Sequence, residues 1–117
     1  MAPSSTPTSD LAARHCQSCE GGKPLGSDDL RSLMPQAPGW SLDPSKDSIS
    51  RTYSFKNFYE TMAFANAVAW IANREDHHPD LELSYRSCRV RYTTHAVGGL
   101  SENDFICAAQ INRLLAG

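Results

Sequence analysis

The sequence predicts an α+β domain, a four-stranded antiparallel sheet with three helices packed on one face, in the order α-β-β-α-β-β-α. Three observations carry that expectation. Two stretches, from about Trp40 to Phe55 and from Leu81 to Thr93, alternate apolar and polar residues with a period of two on either side of a turn, the mark of a hairpin with one buried face. Three others, opening at Ser27, Asn57 and Ser101, begin with a capping residue and continue with apolar residues at helical spacing. The 117 residues are 40% hydrophobic and 21% charged, enough for one core.

Residues 1–26 are rich in Ser, Thr, Pro and Gly, hold no sustained period, and carry Cys16-x-x-Cys19. They read as a flexible N-terminal extension with exposed thiols, and residues 27–117 as the domain. Ser27 can cap a first helix, with Asp28 and Asp29 at the positive end of its dipole, Leu30, Leu33 and Met34 as its apolar face and Pro35 as its stop. A strand from about Trp40, the turn Asp43-Pro44-Ser45-Lys46-Asp47, and a strand with Ile49, Arg51, Tyr53 and Phe55 on one side follow. The longest helix spans about 58–74; Phe58, Met62, Ala65, Ala69 and Ala72 form its stripe, widened by Phe64, Val68 and Ile71. Ala63, Ala67, Tyr59 and Trp70 lie on another side, a face suited to a second subunit.

In the second hairpin a turn centred on Arg86-Ser87 sets Tyr85 against Cys88, Leu83 against Val90, Leu81 against Tyr92 and Glu82 against Arg91. Arg-Ser is a poor two-residue turn, so a looser loop or a slipped register stays open. Gly98-Gly99 ends the strand, and Ser101-x-x-Asp104 opens a last helix to about Leu115, with Asp104, Ala108, Ile111 and Leu115 on its inward side.

Composition narrows the function. The longest apolar run, Ala67 to Ala72, is far below the roughly 20 residues of a membrane span. A net charge of −2 offers no basic surface for a phosphate backbone. The N-terminus lacks the basic start and apolar stretch of an export signal, so a cytoplasmic protein without a disulfide framework is expected. His15, Cys16 and Cys19 make only half a zinc site. Cys88 and Cys107 read as small apolar fillers.

The chemistry concentrates at His77, His78 and His95, three of the four histidines, around the second hairpin. Continued outward, the register above pairs 79 with 94 and 78 with 95, and Asp104 lies a short Gly-Gly loop further on. A carboxylate there could orient an imidazole and favour its protonation. Strand-end histidines are also common as plain surface residues, and Asp104 is equally the third residue of a capping box; the coincidence of all four points to proton handling. A shared metal ion is disfavoured, because adjacent histidines can ligate one ion only across a sharp bend.

Glu75-Asp76-His77-His78-Pro79-Asp80, Tyr85, Thr93-Thr94-His95 and Gly98-Gly99-Leu100-Ser101-Glu102-x-Asp104 together resemble the signature of the pterin-4a-carbinolamine dehydratases. The resemblance covers about residues 27–115 and includes Gly39-Trp40 and Phe55-Lys56-Asn57-Phe58. It implies dehydration of 4a-hydroxytetrahydropterin to quinonoid dihydropterin, in the recycling of the pterin used by an aromatic amino acid hydroxylase, with no metal or redox cofactor. It also implies a homodimer or homotetramer. Carried over, His77, His78 and His95 are catalytic with Asp104 in support, and Asp76, Thr93 and Thr94 join the histidines in holding the pterin. Members of the same fold also serve as binding or assembly modules for other proteins, which stands as the alternative. One departure is notable: many members carry an acid four positions before the first histidine, where this chain has Asn73; either Glu75 or Asp76 compensates or that acid is dispensable.

Overall fold

The computed structural model describes residues 10–18 and 22–115. They form the α+β architecture expected: α1 (Ser27–Leu33), β1 (Ser41–Leu42), β2 (Ile49–Ser54), α2 (Phe58–Glu75), β3 (Asp80–Ser84), β4 (Ser87–Tyr92) and α3 (Glu102–Leu114). The sheet is antiparallel in the order β1-β2-β4-β3, so the two hairpins meet through β2 and β4. Ile49 and Tyr53 of β2 and Cys88, Val90 and Tyr92 of β4 are buried with Phe64, Val68 and Ile71 of α2 and Phe105, Ala108 and Ile111 of α3. The opposite face is polar, with Arg89 pairing with Glu82 and Arg91 with Asp80.

Arg51 shares the inner face of β2 without breaking the core. Its guanidinium crosses the Tyr53 ring and donates to Pro38 O and Asn112 Oδ1. The same Asn112 oxygen also accepts from Trp40 Nε1 and Tyr53 Oη. Burial of that hydroxyl pushes its pKa up to about 12.

Local capping decides where the helices begin and end. Gly26, rather than Ser27, is the N-cap of α1, and Pro35 falls in a 3-10 turn after it. Asn57 accepts from Glu60 N at the start of α2. At its other end Asp76 adopts the left-handed conformation at φ 53°, and both it and His77 return their N–H groups to Ala72 O, the Schellman arrangement of a terminating helix. At α3 both halves of the Ser101–Asp104 capping box form.

Four further expectations change. The β3–β4 turn centres on Tyr85-Arg86, one residue earlier, which shifts the register by two: Leu83 faces Cys88, Leu81 faces Val90, Asp80 faces Arg91 and Glu82 faces Arg89. A two-residue shift keeps every side chain on its face, so the alternation alone could not distinguish the registers. The buried stripe of α2 runs through Thr61, Phe64, Val68, Ile71 and Glu75, while Phe58 and Ala69 are exposed. Leu115 lies past the end of α3 and is exposed.

The fourth change concerns the N-terminal segment. Residues 10–18 lie against α3 and the end of α2 instead of extending into solvent. Leu11 is 3% exposed and belongs to the core. The Cys16 N–H and His15 Nδ1 both bond to the Glu75 carboxylate, at 2.8 Å each. Gln17 N donates to Asn103 Oδ1, and Gln110 Nε2 donates to Arg14 O. Backbone groups without hydrophobic periodicity can still dock through polar partners supplied by the domain, which a search for apolar period does not detect. Cys19 lies outside the described residues.

Candidate active site

The site is built where three chain ends meet: the C-terminus of α2, the loop after β4 and the N-terminus of α3. The Schellman turn at Asp76 brings His77 back over the sheet, where its ring stacks on Tyr92 with centroids 5.1 Å apart and planes 12° from parallel. Tyr92 Oη donates to the backbone carbonyl of His77 at 3.2 Å, fixing the turn from below. After β4, Thr94 and Gly99 exchange backbone bonds around a 3-10 turn of His95–Val97. Gly98 closes it at φ 71°, a conformation that favours glycine.

Asp104 is fully buried, and its carboxylate is divided between two tasks. Oδ2 accepts from Thr94 Oγ1 at 2.8 Å and from Ser101 N at 2.9 Å. Oδ1 lies 2.6 Å from His77 Nε2. A carboxylate here accepts, so Nε2 carries the proton and Nδ1 is the nitrogen that gains or loses one. Burial pushes the pKa of His77 down, but the hydrogen bond and charge of Asp104, with Cys107 and Asp76 adding to them, outweigh it and hold the value above the ordinary 6.5.

The other expected residues take distinct places. His78 is exposed, with Nε2 3.2 Å from Asn73 Oδ1. His95 is exposed at the start of the 3-10 turn, the residue after the threonine bonded to Asp104. Asp76 is exposed at the end of α2. Thr94 is buried and spends its hydroxyl on Asp104 and Ser101, while Thr93 Oγ1 lies 2.5 Å from Asp47 O and 3.3 Å from Gly99 O. Both threonines thus brace the framework.

The structure therefore joins His77, Asp104, Thr94 and Ser101 directly, with Tyr92 beneath. In the corrected register position 77, not 79, is the continuation opposite Thr94. Tyr92, Ser101 and Asn73 are the participants that sequence reasoning missed; Tyr92 was assigned only to packing and Ser101 only to capping. Glu75 does not replace an acid at 73. It turns away toward the N-terminal segment, where burial opposes its ionisation but bonds from Cys16 N, His15 and Gln110 bring its pKa down to about 2.

Among the described residues no group of three or more His, Cys, Asp or Glu is arranged to hold a metal ion. A cleft of about 410 Å³ lies beside His15, Trp70, Arg74 and Gln110, away from His77. Among the described residues no helix is long and apolar enough to cross a membrane.

A family model described as pterin 4 alpha carbinolamine dehydratase matches residues 23–114. A Legionella pneumophila protein provisionally named pterin-4-alpha-carbinolamine dehydratase is 57% identical over 110 residues, covering 92% of this chain and 97% of its own. That match is longer than the chain from residue 23 onward, so it takes in part of the N-terminal segment. A similarly named Nitrosomonas eutropha protein is 58% identical over 108 residues, covering 91% and 94%. The Brucella melitensis structure titled transcriptional coactivator/pterin dehydratase superposes with a TM-score of 0.75 at 27% identity, over 81% of this chain and all of that one. A pterin dehydratase-like RuBisCO assembly factor of the α-carboxysome, 18% identical with a TM-score of 0.58 over 68% of this chain and 92% of its own, shares the fold.

Proposed function

The chain belongs to the pterin-4a-carbinolamine dehydratase family, and from that membership we propose that it converts a 4a-hydroxytetrahydropterin to the quinonoid dihydropterin by histidine acid-base catalysis. The observation that carries the proposal is the 2.6 Å contact between His77 and the buried Asp104, in a chain whose next residue is a solvent-exposed histidine.

The reaction needs the 4a-hydroxyl to leave as water and N5 to lose a proton. With Nε2 held by Asp104, His77 exchanges its proton through Nδ1, and the adjacent carboxylate favours the charged ring. That suits it to protonate the leaving hydroxyl. The exposed imidazoles of His78 and His95 are then left to take the N5 proton and to bind the heterocycle, with Asp76 beside them. Thr93 and Thr94 support the site through the loop backbone and Asp104. A positioned acid and base contribute about 10²–10⁴-fold, adequate for a carbinolamine that also dehydrates unaided.

The activity would serve the recycling of a tetrahydropterin cofactor after an aromatic amino acid hydroxylase, in the cytoplasm. A homodimer or homotetramer fits the surface: β3 is an edge strand with Leu81 and Leu83 exposed, Tyr85 is exposed in the turn after it, and α2 presents Tyr59 and Trp70. Unpaired apolar edges of this kind are commonly covered by a partner strand. A crystal soaked with an unreactive dihydropterin tests the proposal. The expected result is the bicyclic ring in contact with His77, His78 or His95; a ring bound only in the cleft by Trp70 and Arg74 would overturn it.

A further inference from the structure

We propose that Cys16 and Cys107 are a modification site: a peroxide oxidant joins them in a disulfide that fastens the N-terminal segment to α3. The two sulfurs are 3.5 Å apart although their residues are 91 positions apart in the chain. A disulfide bond measures about 2.05 Å, so forming it needs a closure of only about 1.5 Å. The approach is not the chance meeting of a loose end. Cys16 is clamped on both sides, by its own N–H on Glu75 Oε1 and by the Gln17 N–H on Asn103 Oδ1. Its thiol points inward, toward Asn103 O at 3.7 Å as well as Cys107. Cys107 is fully buried on α3, while Cys16 is partly exposed and open to a small oxidant.

The electrostatics agree with the geometry. The contact with Cys107, then burial, pushes the Cys16 thiol up; the bond from Cys16, with the Tyr92 hydroxyl nearby, holds Cys107 down against its own burial. Cys107 is thus the sulfur of the pair that more readily gives up its proton.

The chemistry balances with hydrogen peroxide as the named oxidant. Cys16 attacks the O–O bond; an S–O bond forms, the O–O bond breaks, and the thiol proton goes to the departing hydroxide, which leaves as water. Cys107 then attacks the Cys16 sulfur and gives up its proton to the departing hydroxyl. The S–S bond forms, the S–O bond breaks, and a second water leaves. The two sulfurs lose two electrons and the peroxide gains them.

The test treats the full chain with a slight excess of hydrogen peroxide, followed by thiol titration and peptide mapping without reductant. The expected product is a Cys16–Cys107 linked peptide, formed in the wild type and in Cys19→Ser, absent from Cys16→Ser, and reversed by dithiothreitol. The oxidised protein should unfold at least about 5 °C higher than its reduced form, since the bond closes a long loop. Cys107→Ala provides a second control, and Cys16→Ser keeps the test valid if that core variant fails to fold. A Cys16–Cys19 bond as the main product, an unchanged thiol titre, or sulfinic acid without a crosslink would each overturn the proposal.

Discussion

Replacing Asp104 with Asn probes the site at the point where structure and chemistry are hardest to separate. The substitution keeps size and shape but removes one acceptor and the charge. As it stands, Oδ2 serves Thr94 and Ser101 while Oδ1 serves His77. An amide can satisfy only one side. If its oxygen keeps the two donors of the loop and cap, its NH₂ faces His77, which must then present Nε2 as an acceptor and carry its proton on Nδ1. The charge-assisted bond lost is worth about 1.5–3 kcal/mol, equivalent to roughly 10- to 150-fold in rate.

The pH dependence has a definite sign. His77 has a raised folded-state pKa, so the pair contributes its full stability below the ordinary value of 6.5 and loses it as pH rises through the folded value. In Asp104→Asn the His77 titration should move downward and this pH-dependent stability should shrink. The assay follows decay of the 4a-carbinolamine across pH, beside a histidine NMR titration and thermal unfolding. An Asp104→Asn protein that folds and retains both the wild-type rate and the wild-type His77 titration would refute the argument.

Three further outcomes are expected. His78→Ala and His95→Ala should each slow the carbinolamine assay by 10-fold or more while leaving thermal unfolding almost unchanged, because both rings are exposed. Asn112→Ala should destabilise by about 2–4 kcal/mol in chemical denaturation, since Trp40, Arg51 and Tyr53 all lose their shared acceptor. The depressed pKa of Glu75 means that its contribution holds above its ordinary value of 4.5 and is lost as pH falls toward about 2. Hydrogen exchange in residues 10–18 should therefore rise over that interval, and Glu75→Gln should raise it already at neutral pH.

Much of the fold was legible because caps and periodicity act locally. Asn57 and Ser101 announced α2 and α3 through hydrogen bonds to residues three positions away, and the alternation in β2, β3 and β4 identified the faces. The β3–β4 register was less accessible: sliding by two preserves the faces, so the alternation fits a turn at Arg86-Ser87 as well as the observed one at Tyr85-Arg86. The candidate site followed the same division. Asp104 inward at the start of α3 was visible from helical spacing. Its pairing with His77 depended on the left-handed turn at Asp76, and Tyr92 as the stacking platform depended on the true register. The docking of residues 10–18 was least visible, because it rests on Glu75, Asn103 and Gln110, which lie far along the chain and carry no local pattern.

The central claim is that His77, poised by Asp104, and its exposed neighbours move protons on a pterin carbinolamine. Its most direct test is the rate at which freshly generated 4a-hydroxytetrahydropterin decays with catalytic amounts of the wild-type protein, against the same buffer carrying an equal concentration of free imidazole. Decay should accelerate in proportion to protein concentration, with repeated turnover and no added metal. A decay rate equal to that of the imidazole buffer, from folded protein, would contradict the claim.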